Sequence, residues 1–371
     1  MKKIIYFTTV PVPYKVAFFE ELGKKCELTV VFENKTVSYR EDSWMVTKFK
    51  NFRAFFLEGL NVKGKKISSQ AVSFLKKEKF DHIIIGCYST FAQMKAQCYL
   101  IRHKIPYIIS SDGGMIKNDK GFQKRLKCYF IGHADMWLST GRITSEYLAH
   151  YGADPQKTYS YPFTSIKNED VLTVPDTYPQ KLEFRERLSI EEKNVDVCVG
   201  QFIHRKGMDL LIQAAPSLKD TGVYIIGGKP DNMYLELKEK CGADHVHFVA
   251  FKDKAALSEY YRAADVFVLP TREDIWGLVV NEAMAYGLPV ITTDRCVAGM
   301  EMVENGITGS IIPSDDVQQL SDAIRKWLEH KEDICTERIL QTARNYTTEK
   351  MAEVHYVLLE SNKNEEDNDV C

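Results

Sequence analysis

The stretch Asp265-Val266-Phe267-Val268-Leu269-Pro270-Thr271-Arg272-Glu273-Asp274-Ile275-Trp276-Gly277-Leu278-Val279-Val280-Asn281-Glu282-Ala283-Met284-Ala285-Tyr286-Gly287-Leu288-Pro289-Val290 decides the fold class of this 371-residue chain. Its opening apolar run, Val266–Leu269, is short and unbroken, as in a strand buried on both faces. A polar loop follows. The spacing then predicts a helix that opens near Gly277 and stops at Gly287, a glycine C-cap with Pro289 just beyond. Val290 starts the next apolar run. Strand, helix and strand in such close succession form a parallel βαβ unit. Gly277 permits close approach of a ligand. The N–H groups of Leu278 and Val279 sit at the positive end of the helix, where a pyrophosphate is stabilised. Glu282 lies about one turn inside the helix. With Asp274 in the preceding loop, it places two carboxylates beside a phosphate site. That combination suits acceptors for ribose and sugar hydroxyls.

The same alternation runs outward in both directions. Apolar runs at Lys3–Thr9, Leu28–Phe32, Ala54–Leu57, His82–Ile85, Tyr107–Ser110 and Met136–Ser139 are the expected strands of the first half. Helical stretches are expected at Val16–Lys25, Ser68–Lys79 and Thr90–His103. The second half has expected strands at Val195–Val199, Val223–Ile226, Val246–Val249, Val266–Leu269, Val290–Thr292 and Ser310–Ile312. Its expected helices are Gly207–Ala215, Asn232–Cys241, Ala255–Ala263, Leu278–Tyr286 and Val317–His330. The polar, proline-bearing stretch Thr164–Pro179 is the expected linker. The class is α/β, with two Rossmann-like doubly wound domains at 1–165 and 166–345. A last helix is expected at 346–360 and a disordered acidic tail at 361–371. Open α/β sheets bind ligands at the carboxyl ends of their strands, so a site is expected in a cleft between the halves.

Composition narrows the function. Lys+Arg is 49 and Asp+Glu 51, a net charge of -2, which excludes a uniformly basic nucleic-acid binder. That total hides a split. Residues 1–167 hold 27 basic and 14 acidic side chains, a balance of +13, and the remainder hold 22 and 37, a balance of -15. Nine cysteines, an odd number with no C-x-x-C pair, read as free thiols of a reducing compartment rather than disulfides or a zinc site. No apolar run is long enough to span a bilayer as a helix. Pro11 and Pro13 break the apolar start too early for a signal peptide.

A second block, Val199-Gly200-Gln201-Phe202-Ile203-His204-Arg205-Lys206-Gly207, follows another apolar strand. Together with the Asp274…Glu282 segment it resembles the family 4 retaining glycosyltransferases of GT-B fold. Their signatures are a G-R-x-x-x-x-K-G loop and an acidic residue, seven residues, then Glu, followed by A-M-A-x-G-x-P-V. Asp274 stands where the family usually has Glu, and Gln201 where it has Arg, with Arg205 available to supply the missing charge. The resemblance implies that Glu282 binds the nucleotide ribose, that Asp274 contacts the donor sugar and that Lys206 neutralises the donor pyrophosphate. Gln201, Arg205, Gly228, Gly277, Leu278 and Val279 are then the remaining donor-site residues. Gly227-Gly228-Lys229, the loop after His247 and Glu301 are weaker positions, for which structural roles serve equally well.

In the first half, Asp112 of Ser111-Asp112-Gly113-Gly114 occupies the region where many members place a histidine near the reacting sugar. It is the third candidate catalytic residue with Asp274 and Lys206. A turn residue before Gly-Gly is the alternative. Pro11-Val12-Pro13-Tyr14 replaces the glycine-rich loop that usually follows the first strand. In enzymes of this fold the last helix often crosses back to the first domain.

The implied reaction is transfer of a sugar, with retention, from a UDP- or GDP-linked donor to a glycan or to a polyprenyl- or other lipid-linked acceptor. The acceptor hydroxyl attacks from the leaving-group side, so paired carboxylates at glycosidase spacing are not needed. No metal and no cofactor beyond the donor is implied, and Asp367-Asn368-Asp369 in the tail reads as chance. Lys117–Tyr129, with Lys117, Lys120, Lys124, Arg125 and Lys127 beside Phe122, Leu126 and Tyr129, and Lys63-Gly64-Lys65-Lys66 suit peripheral contact with an anionic membrane, or else a solvated face. The chain is accordingly expected in the cytoplasm, at the inner face of the plasma membrane. Two rivals remain: a non-catalytic nucleotide-sugar-binding protein of this fold, and a GT-B epimerase or phosphorylase.

Overall fold

The computed structural model describes residues 1–35, 48–62 and 65–361. The side chains of the basic stretch at 63–66, the triplet at 367–369 and the tail from 362 onward lie outside the described residues. The chain divides into two compact units, Met1–Lys167 with the segment from Tyr346, and Asn168–Asn345.

The first unit runs β1 (Lys3–Thr8), α1 (Pro13–Gly23), β2 (Glu27–Phe32), β3 (Arg53–Phe56), β4 (Leu60–Val62), β5 (Lys65–Ile67), α2 (Gln70–Lys77), β6 (His82–Ile85), α3 (Phe91–His103), β7 (Ile108–Ser110), α4 (Gly121–Ile131), β8 (Met136–Ser139), α5 (Arg142–His150) and β9 (Thr158–Ser160). Seven strands form one sheet in the order β3-β2-β1-β6-β7-β8-β9, every pair parallel. The chain steps outward from β1 to β3, then returns to the other side at β6. Helices cover both faces, so β1 and β8 are almost wholly buried and read as apolar runs. Pro13 opens α1, where its missing N–H costs nothing and its fixed φ suits the helix.

The second unit runs α6 (Tyr178–Leu188), β10 (Asn194–Val199), α7 (Met208–Ala214), β11 (Thr221–Ile226), α8 (Asn232–Cys241), β12 (Val246–Val249), α9 (Lys254–Ala263), β13 (Val266–Leu269), α10 (Leu278–Ala285), β14 (Val290–Thr293), α11 (Val297–Met302), β15 (Gly309–Ile312), α12 (Val317–Glu329) and α13 (Thr336–Arg344). Its parallel sheet has the order β12-β11-β10-β13-β14-β15. The strand order therefore reverses between β10 and β13, the place where a doubly wound sheet opens a ligand crevice. On α12, Leu320, Ile324 and Trp327 are buried at i, i+4 and i+7 against the sheet, and Asp316 caps its start by accepting from the Gln319 N–H at 2.9 Å.

The end of the expected linker is structured. α6 begins at Tyr178 behind a Thr177/Gln180 capping box. Arg185 of α6 is buried and meets Asp265 at 2.9 Å, and Lys331 reaches the same carboxylate at 2.8 Å. Asp265 also accepts from the Val195 N–H at 2.9 Å, so α6 is tied to the amino ends of β10 and β13 through charge rather than an apolar stripe. A final helix, α14 (Thr348–Ser361), belongs to the first unit and packs on α1. His355 lies with its ring 4.6 Å from Phe18 and 4.3 Å from Tyr161, and Lys2 donates to the Leu359 carbonyl at 2.7 Å.

Candidate functional site

The site grows from the two loops that leave β10 and β13. Gly207 closes the first loop with φ of +69°, and a Cβ there would lie 1.9 Å from the Pro270 carbonyl oxygen. Only glycine lets the loops touch. Once they touch, the Arg205 carbonyl accepts from the Thr271 hydroxyl at 2.7 Å and from the Arg272 N–H at 2.8 Å. Arg272 binds Asp209 with both terminal nitrogens, at 2.8 and 2.6 Å, and Asp315 through Nε at 2.5 Å. It is a cross-link and not a free cation. Arg205 is exposed and donates to the Glu273 carbonyl at 3.2 Å.

Across this contact Lys206 meets Asp274 at 2.5 Å, with both side chains largely buried. The Asp274–Trp276 loop is held from below by the chain that follows β14. The Asp274 N–H donates to Arg295 O at 2.9 Å, the Val297 N–H to Asp274 O at 3.1 Å and the Ala298 N–H to Trp276 O at 2.8 Å. The Trp276 indole donates to Asn281 Oδ1 at 2.8 Å, which folds the loop back onto α10. Gly277 then starts α10 with φ of +103°, and a Cβ there would come within 2.8 Å of Cys296 Sγ. Burial pushes the Cys296 thiol up to about 12, so it is packing and not a nucleophile.

Leu278 and Val279 occupy the first turn of α10, where N–H groups precede the helix's own bonding ladder. Glu282 follows on the same helix and accepts from the Tyr261 hydroxyl at 3.1 Å. Tyr261 is buried in α9 and its ring stacks on Tyr286 at 5.3 Å. Gln201 is exposed in the β10 loop. Gly228 follows β11 with φ of +133° and open space where a Cβ would be. The β10, β11 and β13 loops thus carry every donor-site residue read from the sequence to the carboxyl edge of one sheet.

Asp112 is carried by the first unit, just after β7. There it meets Lys15 of α1 at 2.6 Å. Sequence reasoning missed Lys15, Tyr261 and Asn281. For Lys15 the signal was present, a single cation inside the otherwise apolar start of α1. Tyr261 and Asn281 looked like ordinary helix residues.

The amphipathic element needs correction. The helix expected over Lys117–Tyr129 starts only at Gly121, as α4. Lys127 turns to Asp119 at 2.5 Å and lies over the Tyr151 ring at 4.7 Å, so it is drawn partly inward from the basic face expected to meet a membrane or solvent. Phe122 and Tyr129 are exposed, with Lys120 and Arg125 exposed beside them. His247, which precedes one of the weaker positions, bonds Glu192 at 2.6 Å and stacks on Tyr224, which serves the sheet.

Residues 180–346 match the family model described as glycosyl transferases group 1. A GDP-mannose-dependent alpha-(1-6)-phosphatidylinositol monomannoside mannosyltransferase of Mycolicibacterium smegmatis is 34% identical over 160 residues, 39% of this chain and 41% of that protein. The lipopolysaccharide core biosynthesis mannosyltransferase LpsB of Rhizobium meliloti is 31% identical over 199 residues, 49% of this chain and 56% of its own length. The chain thus spans about half the length of the curated relatives it matches. Among solved structures, the UDP complex of HepE from Anabaena superposes with a TM-score of 0.77 at 15% identity, over 97% of this chain and 100% of that one. A sucrose-phosphate synthase from Thermosynechococcus elongatus gives 0.76 at 18% identity, over 97% and 99%. These likenesses establish the GT-B fold over nearly the whole chain.

Proposed function

We propose, from the match of residues 180–346 to the family model described as glycosyl transferases group 1, that this chain is a glycosyltransferase of surface-glycan synthesis. It takes a sugar from a UDP- or GDP-linked donor and passes it, with retention of configuration and without a metal, to a glycan or lipid-linked acceptor. The observation that carries the reading is the Lys206–Asp274 pair at the point where the second sheet reverses its strand order, with Gly277 and the start of α10 beside it.

The chemistry follows from those groups. An ammonium has three donor hydrogens, so Lys206 can hold Asp274 and a phosphate oxygen together. The α10 N terminus adds N–H donors to the same diphosphate. Both stabilise the charge that grows on the leaving group as the glycosidic bond breaks. Asp274, fixed by Lys206, accepts from a hydroxyl of the donor sugar, and Glu282 from the ribose. The acceptor hydroxyl attacks from the face the diphosphate leaves, and the departing phosphate takes its proton.

A cytoplasmic site of action at the inner membrane face is part of the same proposal. The exposed Phe122 and Tyr129, flanked by Lys120 and Arg125 on the +13 half, support it.

A thermal-shift screen of UDP- and GDP-sugars tests the donor site, with Glu282→Ala as the control. One nucleotide-sugar family is expected to raise the melting temperature of the wild type and to do so much less in the variant. Failure of every donor to shift the wild type defeats the proposal.

A further inference from the structure

The carboxyl edge of the first sheet holds a second lysine–aspartate pair that no reading above explains. Lys15 Nζ lies 2.6 Å from Asp112 Oδ2, with side-chain exposures of 11% and 27%. Lys206 and Asp274 pair in the second unit at 2.5 Å, with 13% and 10%. In each unit the lysine comes from the connection after the first strand of the sheet, β1 or β10. In each, the aspartate comes from a loop leaving the carboxyl end of another strand, β7 or β13.

The floor beneath the first pair is aromatic. The rings of Tyr14 and Phe163 meet at 5.7 Å, and the buried Tyr161 donates to the Ser111 carbonyl at 3.0 Å. Lys15 also donates to the Thr8 hydroxyl at 3.1 Å. Burial weakens the hold of Lys15 on its proton, but Asp112 beside it, with help from Tyr14 and Tyr6, more than reverses this and keeps the ammonium charged. A largely buried ion pair costs desolvation that an apolar pair of the same size would avoid, so it contributes little to folding. Such costs concentrate at functional sites. Asp112 is also partly accessible. Its Oδ2 is the carboxylate oxygen nearest Lys15, and its side chain stays 27% exposed, open enough to meet a ligand.

We infer that Lys15 is the positioning residue for Asp112, and that the anchored, partly exposed carboxylate accepts from a sugar hydroxyl during transfer. The inference rests on the glycosyltransferase reading. Lys15 does not touch the sugar. It fixes the rotamer and the charge of the group that does.

The test compares wild type, Lys15→Met, Lys15→Arg, Asp112→Asn and the double variant Lys15→Met/Asp112→Asn. Transfer from labelled UDP-glucose, UDP-galactose and GDP-mannose to a bacterial lipid extract is measured, with a thermal melt for each protein. Lys15→Met is expected to lower kcat 10- to 100-fold with donor KM changed less than twofold. Lys15→Arg recovers most of the rate, and the double variant is no slower than Asp112→Asn alone. An additional variant, Lys15→Met/Asp112→Leu, is expected to melt no lower than wild type yet remain inactive, which separates positioning from folding. Wild-type kcat in Lys15→Met, or losses that multiply in the double variant, overturn the inference alone. A wild type that transfers none of the three sugars overturns the glycosyltransferase reading beneath it.

Discussion

The two units solve the same topological problem with different degrees of restraint at their functional edges. In the second unit the Lys206–Asp274 pair sits in a frame of backbone bonds from three loops, with Gly207 and Gly277 in conformations that favour glycine. In the first unit the connection after β1 carries Pro11 and Pro13, and its Lys15–Asp112 pair lies within electrostatic reach of Tyr6, Tyr14 and Tyr161. One edge is rigid through hydrogen bonding and the other through proline and aromatic packing. The difference fits a division of labour. A nucleotide diphosphate has fixed dimensions and rewards a prearranged set of N–H groups and a cation. A sugar hydroxyl needs a single well-placed acceptor.

The largest effect expected from breaking this comparison is at Lys206. Lys206→Met removes the cation assigned above, as a proposal, to the leaving diphosphate and leaves Asp274 buried without its lysine partner. Loss of one preorganised charge-stabilising group costs about 10²–10³ in kcat. Lys206→Met is therefore expected to lose more kcat than Lys15→Met, because the proposed mechanism sets Lys206 against the leaving group itself. Single-turnover transfer rates for the two variants check the order. Equal losses would erase the proposed division between the edges.

The second edge was legible in the sequence because its chemistry is local. Loop, glycine, helix start and Glu282 lie within one βαβ unit, so spacing alone placed them. The strand pattern was legible for a similar reason, since strands covered on both faces are plain apolar runs. What escaped was carried by charge or by distance. α6 buries only Phe184 and Arg185, so no apolar period announces it, and its tie to Asp265 spans 80 residues of sequence. β9 is a three-residue edge strand with no buried residue to mark it. Lys15 and Asp112 are almost a hundred residues apart, and only the β1–β6–β7 order brings them together. Tyr261 carried no signal, because its hydroxyl matters only once α9 and α10 are packed.

The two cores also differ, in a way that pH exposes. His355 of the first unit is fully buried and its ring is held near 4, below the usual 6.5, by that burial. The unfolded chain then takes up a proton before the folded one does. Stability is complete above pH 6.5 and falls as pH drops toward 4, by up to about 3 kcal/mol. Urea unfolding from pH 7 to 4.5, compared with His355→Phe, should show this slope in the wild type and lose it in the variant. In the second unit Asp196, in the central strand β10, is fully buried with neither oxygen bonded among the described residues. Burial raises its carboxyl well above the usual 3.8. Here the sign is opposite. Below 3.8 the acid is neutral in both states and there is no penalty, and the penalty grows as pH rises toward the folded value. Asp196→Val is expected to stabilise by about 1–3 kcal/mol at neutral pH, because an unsatisfied buried polar group is removed. Acidification should thus weaken the first unit and relieve the second. Hydrogen exchange at pH 5 and 7, read separately over β1 and β10, decides whether the two slopes are separate.

The smallest expected effect refines how rigid the donor edge is. The Tyr261 hydroxyl donates to Glu282, and its ring is fixed between Tyr286 and Phe267. Glu282 has three rotatable bonds, and a buried phenol on one oxygen restricts where the other can point. Tyr261→Phe keeps the ring and deletes the bond, so packing is conserved while the carboxylate loses this one donor. A hydrogen bond to a charged group contributes about 1.5–3 kcal/mol when it forms, but at a partly open site water replaces much of a lost donor. The expected outcome is a three- to tenfold rise in the dissociation constant for UDP or GDP, with kcat unchanged at saturating donor. The same change should disappear for a 2′,3′-dideoxynucleoside diphosphate, which has no hydroxyl for Glu282 to accept. Equal weakening of both ligands would mean that Tyr261 supports the fold of α10 and not the aim of Glu282. The donor edge would then owe its rigidity to backbone bonds alone.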